Sequence, residues 1–291
     1  MSNNELLKAY TPNDVDVFDE SKITRLIDNI DKTDSLIAIR ERLNQRIRRA
    51  IGEFLPIAYD ELRGKIKWDN LYILGSNPVI KSNSTMDHDL TILREKDTDH
   101  ENFAKTADAL SDKVISEAMK NAQMIRTKVL TPLAGTTCEK IDEDKYAFVA
   151  IRRASLPLEK AVQRLLPNAK IYPVDIKRNE ETAKAEIKSF DIPDNISGKT
   201  VFILDPMLAT GGTTAVTINQ LKLKEVQDIQ YIGIIAAPDG IYRVQQEHPD
   251  IQIHTCAVDP GLNHNAYIDP GLGDFGDRYC GQKPGEFSPK I

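Results

Sequence analysis

Apolar positions along the chain fall into two regimes. Before residue 70 they recur at helical spacing. Ile23, Leu26, Ile27 and Ile30 share one face, with Ser21 placed to cap the helix start. Leu36, Ile39, Leu43, Ile47, Ala50, Ile51 and Phe54 form a second stripe, which predicts a helix from about Ser35 that ends or kinks at Pro56. From Asn77 onward the pattern alternates. Apolar-rich runs at Ala147 to Ile151, Ile171 to Ile176, Val201 to Leu204, Ile229 to Ala237 and Ile251 to Val258 predict strands. Helical segments lie between most of them, and Phe103 to Ala122 reads as a further helix. Strands alternating with helices predict an α/β domain, a parallel sheet with helices on both faces, preceded by a helical extension. The boundaries read as 1–70 for the extension and 71–291 for the α/β domain. Ligands of such sheets bind beyond the carboxyl ends of the strands, which marks the loops after Ile151 and Leu204.

Charge narrows the partners. The net charge is −6 over 291 residues, a poor balance for general nucleic-acid binding, which rests on Lys and Arg displacing counterions. Arg40, Arg42, Arg46, Arg48 and Arg49 surround the second stripe. They read first as a solvated helix face, with an anionic effector site or a nucleic-acid contact as alternatives. The three cysteines, Cys138, Cys256 and Cys280, are odd in number and far apart. They offer neither zinc spacing nor a disulfide framework, which fits a cytoplasmic protein. The start, Met-Ser-Asn-Asn-Glu, lacks a basic and apolar leader, and no apolar run approaches a membrane span. The five histidines show no metal spacing, so no protein-borne metal centre is expected. His248 and His264 read as structural or surface residues.

The densest chemistry lies at Val201 to Thr214. An apolar strand ends in Asp205, then Ala209, Thr210, Gly211, Gly212 and Thr213 lead into an amphipathic segment with Val216, Ile218, Leu221 and Leu223. Strand, glycine-rich turn and helix start together form an anion pocket of backbone N–H groups. A nucleoside-triphosphate loop would need a lysine, and none stands near Gly211. The pocket suits one phosphate monoester and the carboxylate suits a diol, which together describe a 5-phosphoribosyl group.

The run from Asp205 to Thr213 resembles the phosphoribosyl-pyrophosphate loop of uracil phosphoribosyltransferases, which carry Asp-Pro where most phosphoribosyltransferases carry two acidic residues. Tyr267 to Tyr279 resembles that family's uracil-binding loop. Ala236-Ala-Pro-Asp-Gly240 followed by His248-Pro-Asp250, and Arg178-Asn-Glu-Glu-Thr182, match in the same order. The resemblance covers about residues 77–283. It implies the type I phosphoribosyltransferase fold and transfer of the 5-phosphoribosyl group from phosphoribosyl pyrophosphate (PRPP) to uracil, giving UMP and pyrophosphate in pyrimidine salvage. It further implies Mg2+ bound through PRPP, a homodimer or higher homo-oligomer, and activation by GTP in some members.

Residue by residue, the resemblance puts Asp205 on the ribose hydroxyls and Ala209 to Thr213 on the 5-phosphate. Arg153, Ala154 and Ser155 fall in the pyrophosphate loop, where Ser155 and Pro157 replace two usual glycines and Pro157 is placed to open the next helix. Arg178 reaches the pyrophosphate from a following loop. Arg94, in His88 to Arg94, falls either at the PRPP site or in an interface, after an apparent insertion at Ser82 to Asp87. The backbones of Ile268, Gly273 and Phe275 read the uracil edge, with Met207 and Ala209 nearby and Tyr267 either lining the pocket or in the core. Asp274 faces the ribose or the magnesium shell. Gly271 to Gly276 also satisfies G-x-G-x-x-G, but the 15 residues after it leave no room for a dinucleotide-binding unit. The altered pyrophosphate loop keeps two other readings open: a phosphoribosyltransferase for a different acceptor, and a regulatory protein that binds PRPP or UMP without turnover.

Overall fold

The computed structural model describes residues 66–74, 84–178 and 185–281. The helices expected between Ser21 and Pro56 lie outside the described residues. The described elements, in order, are β1 (Leu71–Ile73), α1 (Ser84–Arg94), α2 (His100–Ala118), β2 (Met124–Leu130), β3 (Gly135–Ile141), β4 (Tyr146–Ile151), α3 (Leu156–Leu165), β5 (Lys170–Arg178), β6 (Ala185–Ser189), β7 (Thr200–Leu204), β8 (Met207–Leu208), α4 (Gly212–Leu223), β9 (Asp228–Ile232), β10 (Ile235–Ala236), α5 (Pro238–Glu247), β11 (Gln252–Thr255), β12 (Ala257–Val258), β13 (Gly261–Leu262), β14 (Ile268–Asp269) and α6 (Phe275–Cys280).

Seven of these strands form one sheet in the order β1-β11-β9-β7-β4-β5-β6. Neighbours run parallel except β5 and β6, which are antiparallel. All six residues of β4 are buried, as its unbroken apolar run requires for a strand covered on both faces. Side chains alternate between the two faces. Phe148, Ala150, Phe202 and Leu204 join Phe103, Leu110, Val114, Leu158 and Val162 of α2 and α3 in one core. Ala147, Val149, Val201 and Ile203 join Ile218, Leu221, Ile241 and Val244 of α4 and α5 in the other. Helices thus cover both faces, as the alternation predicts. β4 and β7 pair from Tyr146 opposite Thr200 to Ala150 opposite Leu204. The two strands end within one residue of each other, so the loops that follow them start side by side.

Three departures from the sequence reading matter for the site. The runs 229–237 and 251–258 are each two strands rather than one. Beyond β9 the chain turns at Gly233, where a Cβ would lie 2.6 Å from Tyr231 Oη and 2.7 Å from the Asp205 carbonyl oxygen. It resumes as β10, and β8 and β12 similarly follow β7 and β11. These short strands form a separate parallel sheet, β12-β10-β8. The second departure is the β2–β3 hairpin, paired from Met124 with Ile141 to Leu130 with Gly135. Nearly all its side chains are exposed, so no core-facing alternation announces it. The third is Leu223, which lies on the expected apolar stripe of α4 yet is exposed.

Residues 66–70, assigned above to the extension, are hydrogen-bonded to the α/β body. Lys67 exchanges backbone bonds with the Gln245 side chain, and Asn70 donates to the Pro249 carbonyl. His248 is buried at the end of α5 and His264 is exposed. No described helix is long and apolar enough to cross a membrane.

Candidate active site

Asp205 leaves the end of β7 held by its own backbone. Its N–H donates to the Ile232 carbonyl at 3.2 Å, and its carbonyl accepts from Tyr231 Oη at 2.5 Å. Burial, and then the Asp205 charge, keep the Tyr231 phenol protonated well above its usual range, so it remains a donor. The Asp205 carboxyl accepts from the Met207 N–H at 3.3 Å. Burial pushes its pKa up to about 7 against the opposing pull of that N–H. Gly211 caps α4 with φ +72°, and a Cβ there would lie 2.8 Å from the Gly240 carbonyl oxygen. Both facts demand glycine. Ala209 to Thr213 thus bend tightly into a helix start, the geometry expected of the anion pocket. Sequence reasoning missed Arg243 on α5. Its Nη1 lies 3.1 Å from where a Gly212 Cβ would sit, while its Nε donates to Glu247 Oε1 at 3.0 Å, so an ion-paired guanidinium backs this loop.

In the loop after β4, Ser155 is fully buried and its hydroxyl donates to Glu159 Oε1 at 2.9 Å. A serine beside the first turn of a helix meets a carboxylate four residues on, and the two satisfy each other inside. Glu159 Oε2 accepts from Arg152 Nη2 at 3.2 Å. The Arg152–Arg153 peptide is cis. Arg153 is exposed, and its charge pulls the Asp277 carboxyl down, while burial and Asp274 push it up more strongly. Ala154 is half-buried against the α2–α3 core. Pro157 stands in the first turn of α3, as expected. Arg178 ends β5 opposite Ala185 of β6; its side chain and residues 179–184 lie outside the described residues.

The carboxy-terminal loop is built around Asp259, which is 4% exposed. Its Oδ2 accepts from the Gly271 N–H and from Arg94 Nη1, each at 2.8 Å, and its Oδ1 accepts from Arg94 Nη2 at 2.5 Å. Arg94 Nη1 also donates to the Gly271 carbonyl at 3.1 Å. Arg94, for which the PRPP site and an interface were both open, is engaged in bracing this loop. Its first turn of helix, Ser84 to Asp87, occupies the apparent insertion. Gly271 has φ +61°, and a Cβ there would sit 2.0 Å from the Ile268 carbonyl oxygen, so only glycine fits. Gly273 also has positive φ, and the Asp269–Pro270 peptide is cis. Arg278 donates to the carbonyls of Leu93, Leu272 and Glu95 at 2.6–2.9 Å and covers the Phe103 ring.

Two apolar side chains anchor this loop in the core. Phe275 is buried edge-on to Phe103, and Ile268 is buried beside Leu262. Asp274 caps α6 by accepting from the Asp277 N–H at 2.9 Å. That assigns one of its oxygens, while the residue stays exposed. Tyr267 is 42% exposed and therefore not a core tyrosine. Its hydroxyl points to Asp274 Oδ2 at 3.5 Å, and burial, then the Asp274 charge, raise its pKa. Asp259 and Arg278 escaped the sequence reading.

The small sheet couples the two loops. β8 runs directly into Ala209, β12 runs directly into Asp259, and β10 pairs with both. The Ala237 N–H donates to the Leu208 carbonyl and the Asp259 N–H to the Ala236 carbonyl, both at 2.9 Å. Hydrogen bonds therefore set the spacing between the loop at Ala209 to Thr213 and the carboxy-terminal loop.

Known proteins match the same region. A family model described as uracil phosphoribosyltransferase matches residues 79–281. The uracil phosphoribosyltransferase of Campylobacter fetus is 39% identical over 197 residues, covering 68% of this chain and 94% of that protein. The one from Dictyoglomus thermophilum is 37% identical over 205 residues, covering 70% of this chain and 99% of that protein. Among solved structures, the AQ2163 protein from Aquifex aeolicus superposes with a TM-score of 0.64 at 34% identity, covering 72% of this chain and 97% of that one.

Proposed function

Since the chain belongs to the uracil phosphoribosyltransferase family, we propose that it transfers the 5-phosphoribosyl group of PRPP to uracil, forming UMP and pyrophosphate for pyrimidine salvage. The observation that carries this reading is the β8-β10-β12 sheet, which ties a phosphate loop and a base loop to one frame. The C1–N1 bond forms as the C1–oxygen bond to pyrophosphate breaks; the leaving pyrophosphate keeps the electron pair, and the proton of uracil N1 passes to solvent water. Positive charge accumulates on the ribose ring in the transition state. Catalysis then rests on positioning and on charge already in place.

Ala209 to Thr213 hold the 5-phosphate, with the Arg243 charge behind them. Asp205 accepts from the ribose hydroxyls, and its carboxylate faces the cationic ring. Arg153 lies on the leaving-group side. The backbones of Ile268, Gly273 and Phe275 read the base, with Met207 and Tyr267 at its border. An exocyclic amine in place of the uracil carbonyl would leave fixed backbone groups unpaired, a discrimination of roughly 1–3 kcal/mol per group.

Among the described residues, no group of three or more His, Cys, Asp and Glu could hold a metal ion. The separate carboxylates of Asp205 and Asp274 fit instead an Mg2+ that arrives on PRPP, since this ion keeps water and takes most of its charge contacts from phosphates. When bound, such an ion would supply positive charge against the pyrophosphate, with Asp205 and Asp274 the carboxylates that would face it.

A homodimer or larger homo-oligomer extends the reading. Leu130 and Leu133, at the hairpin end, are 85% and 97% exposed, and a lone two-stranded hairpin is marginal in water. Free cysteines, two of them exposed, fit a cytoplasmic setting. Stimulation by GTP is read by adding it to the assay below. The test is incubation with PRPP, Mg2+ and labelled uracil, with separation of UMP. The wild type forms UMP, and Asp205→Asn loses about 100-fold in rate. Binding of PRPP without UMP formation would overturn the reading.

A further inference from the structure

Glu159 is 5% exposed on the first turn of α3, beneath residues 152–155. Its two carboxylate oxygens hold two different residues: Oε1 takes the Ser155 hydroxyl at 2.9 Å and Oε2 takes Arg152 Nη2 at 3.2 Å. Ser155 is itself fully buried. One carboxylate therefore grips both ends of the loop, and Arg153 and Ala154 are the segment held between the grips. Arg153 is an exposed residue there, followed by the half-buried Ala154.

A loop that meets a pyrophosphate must fix its donors before the ligand arrives, because ordering them on binding subtracts from affinity. The side-chain grip supplies that order here. Arg152 is the cation that meets this carboxylate, and its departure would leave a buried carboxylate without one. The grip is also local. The 5-phosphate loop and the base loop hang on β8 and β12 and share no hydrogen bond with Glu159 among those of its side chain.

Resting on the assignment of residues 152–155 as the pyrophosphate loop, we propose that Glu159 is a positioning residue for pyrophosphate recognition. Through Ser155 and Arg152 its carboxylate fixes Arg153 and Ala154 in the conformation that receives the pyrophosphate of PRPP. Glu159 touches no substrate.

Isothermal titration calorimetry of the full chain with Mg2+ tests this, using PRPP, inorganic pyrophosphate and UMP as separate probes. Glu159→Gln and Ser155→Ala each weaken one grip, and Glu159→Ala removes both. Affinity for PRPP and for pyrophosphate falls about tenfold in the single-grip variants and further in Glu159→Ala. Affinity for UMP, which carries no pyrophosphate, stays unchanged. Equal losses for UMP and pyrophosphate would mean that the carboxylate only supports the fold, and would overturn the proposal. Unchanged pyrophosphate affinity in all three variants overturns it too. If Glu159→Ala does not fold, the two single-grip variants carry the comparison. Binding needs no turnover, so a wild type that binds PRPP yet forms no UMP refutes the proposed reaction while the Glu159 comparison still stands or falls by itself.

Discussion

The Tyr231 hydroxyl and the Asp205 carbonyl oxygen are joined by a 2.5 Å hydrogen bond between neighbouring strands. This bond sets where Asp205 leaves β7, and it explains why residue 233 is glycine: a Cβ there would collide with both partners. Tyr231→Phe leaves the buried carbonyl without this donor. Stability to urea falls by about 1–3 kcal/mol, and the KM for PRPP rises because the carboxylate is no longer held in register. A variant with an unchanged KM would separate this bond from the site.

The pKa of Asp205, raised by burial to about 7, makes two linked predictions. The folded state holds this proton more tightly than the unfolded chain does. The resulting stability is fully present below the unfolded carboxylate range, near pH 4, and is lost as pH rises towards 7. Asp205→Asn removes that loss. Its thermal midpoint exceeds that of the wild type at pH 8, and the gap closes towards pH 4. PRPP affinity moves oppositely, weakening below pH 7 as the carboxylate that meets the ribose hydroxyls is protonated. Thermal melts and PRPP titrations across pH 5–8, compared with Asp205→Asn, check both signs.

Asp259 is the hub of the base loop, and its loss is felt at a distance. Asp259→Ala strips Arg94 of its partner and Gly271 of its N–H acceptor. We expect a stability loss of roughly 3 kcal/mol, with the KM for uracil raised more than that for PRPP. Gly271→Ala gives a sharper version, because its Cβ would sit 2.0 Å from the Ile268 carbonyl oxygen. Steady-state kinetics with each substrate varied in turn measure the split. Equal changes in both KM values would contradict a base-specific loop.

The hairpin carries the oligomer prediction. Leu130→Asp with Leu133→Asp leaves the monomer fold intact, since neither side chain enters either core. Sedimentation velocity then shows a smaller species than the wild type, while circular dichroism is unchanged. A wild type that is monomeric across micromolar concentrations sinks the idea.

Much of the site is legible along the chain because its parts are local. The apolar runs of β4 and β7 declare buried strands, Asp205 declares a carboxylate at a strand end, and Gly211, Gly212, Gly271 and Gly273 declare backbone turns that other residues resist. Each depends on neighbours a few positions away. The hairpin left no such signal, because a strand exposed on both sides has no reason to alternate. Gly233 also gave none, because the obstacle to its Cβ lies on another strand.

The sequence by itself determined the α/β class and the runs of β4, β5 and β7, which follow from local periodicity, and the turn at Gly211 that opens α4, which follows from glycine's backbone freedom. Tertiary structure decided the partners of Arg94 and Ser155. Arg94 meets Asp259 across 165 positions of chain. Ser155 turns inward to Glu159 because α3 packs its first turn into the core. A buried charge takes whichever partner the fold brings within hydrogen-bonding distance, and for Arg94 packing made that choice, whereas Ser155 and Glu159 are helical neighbours that packing turns inward.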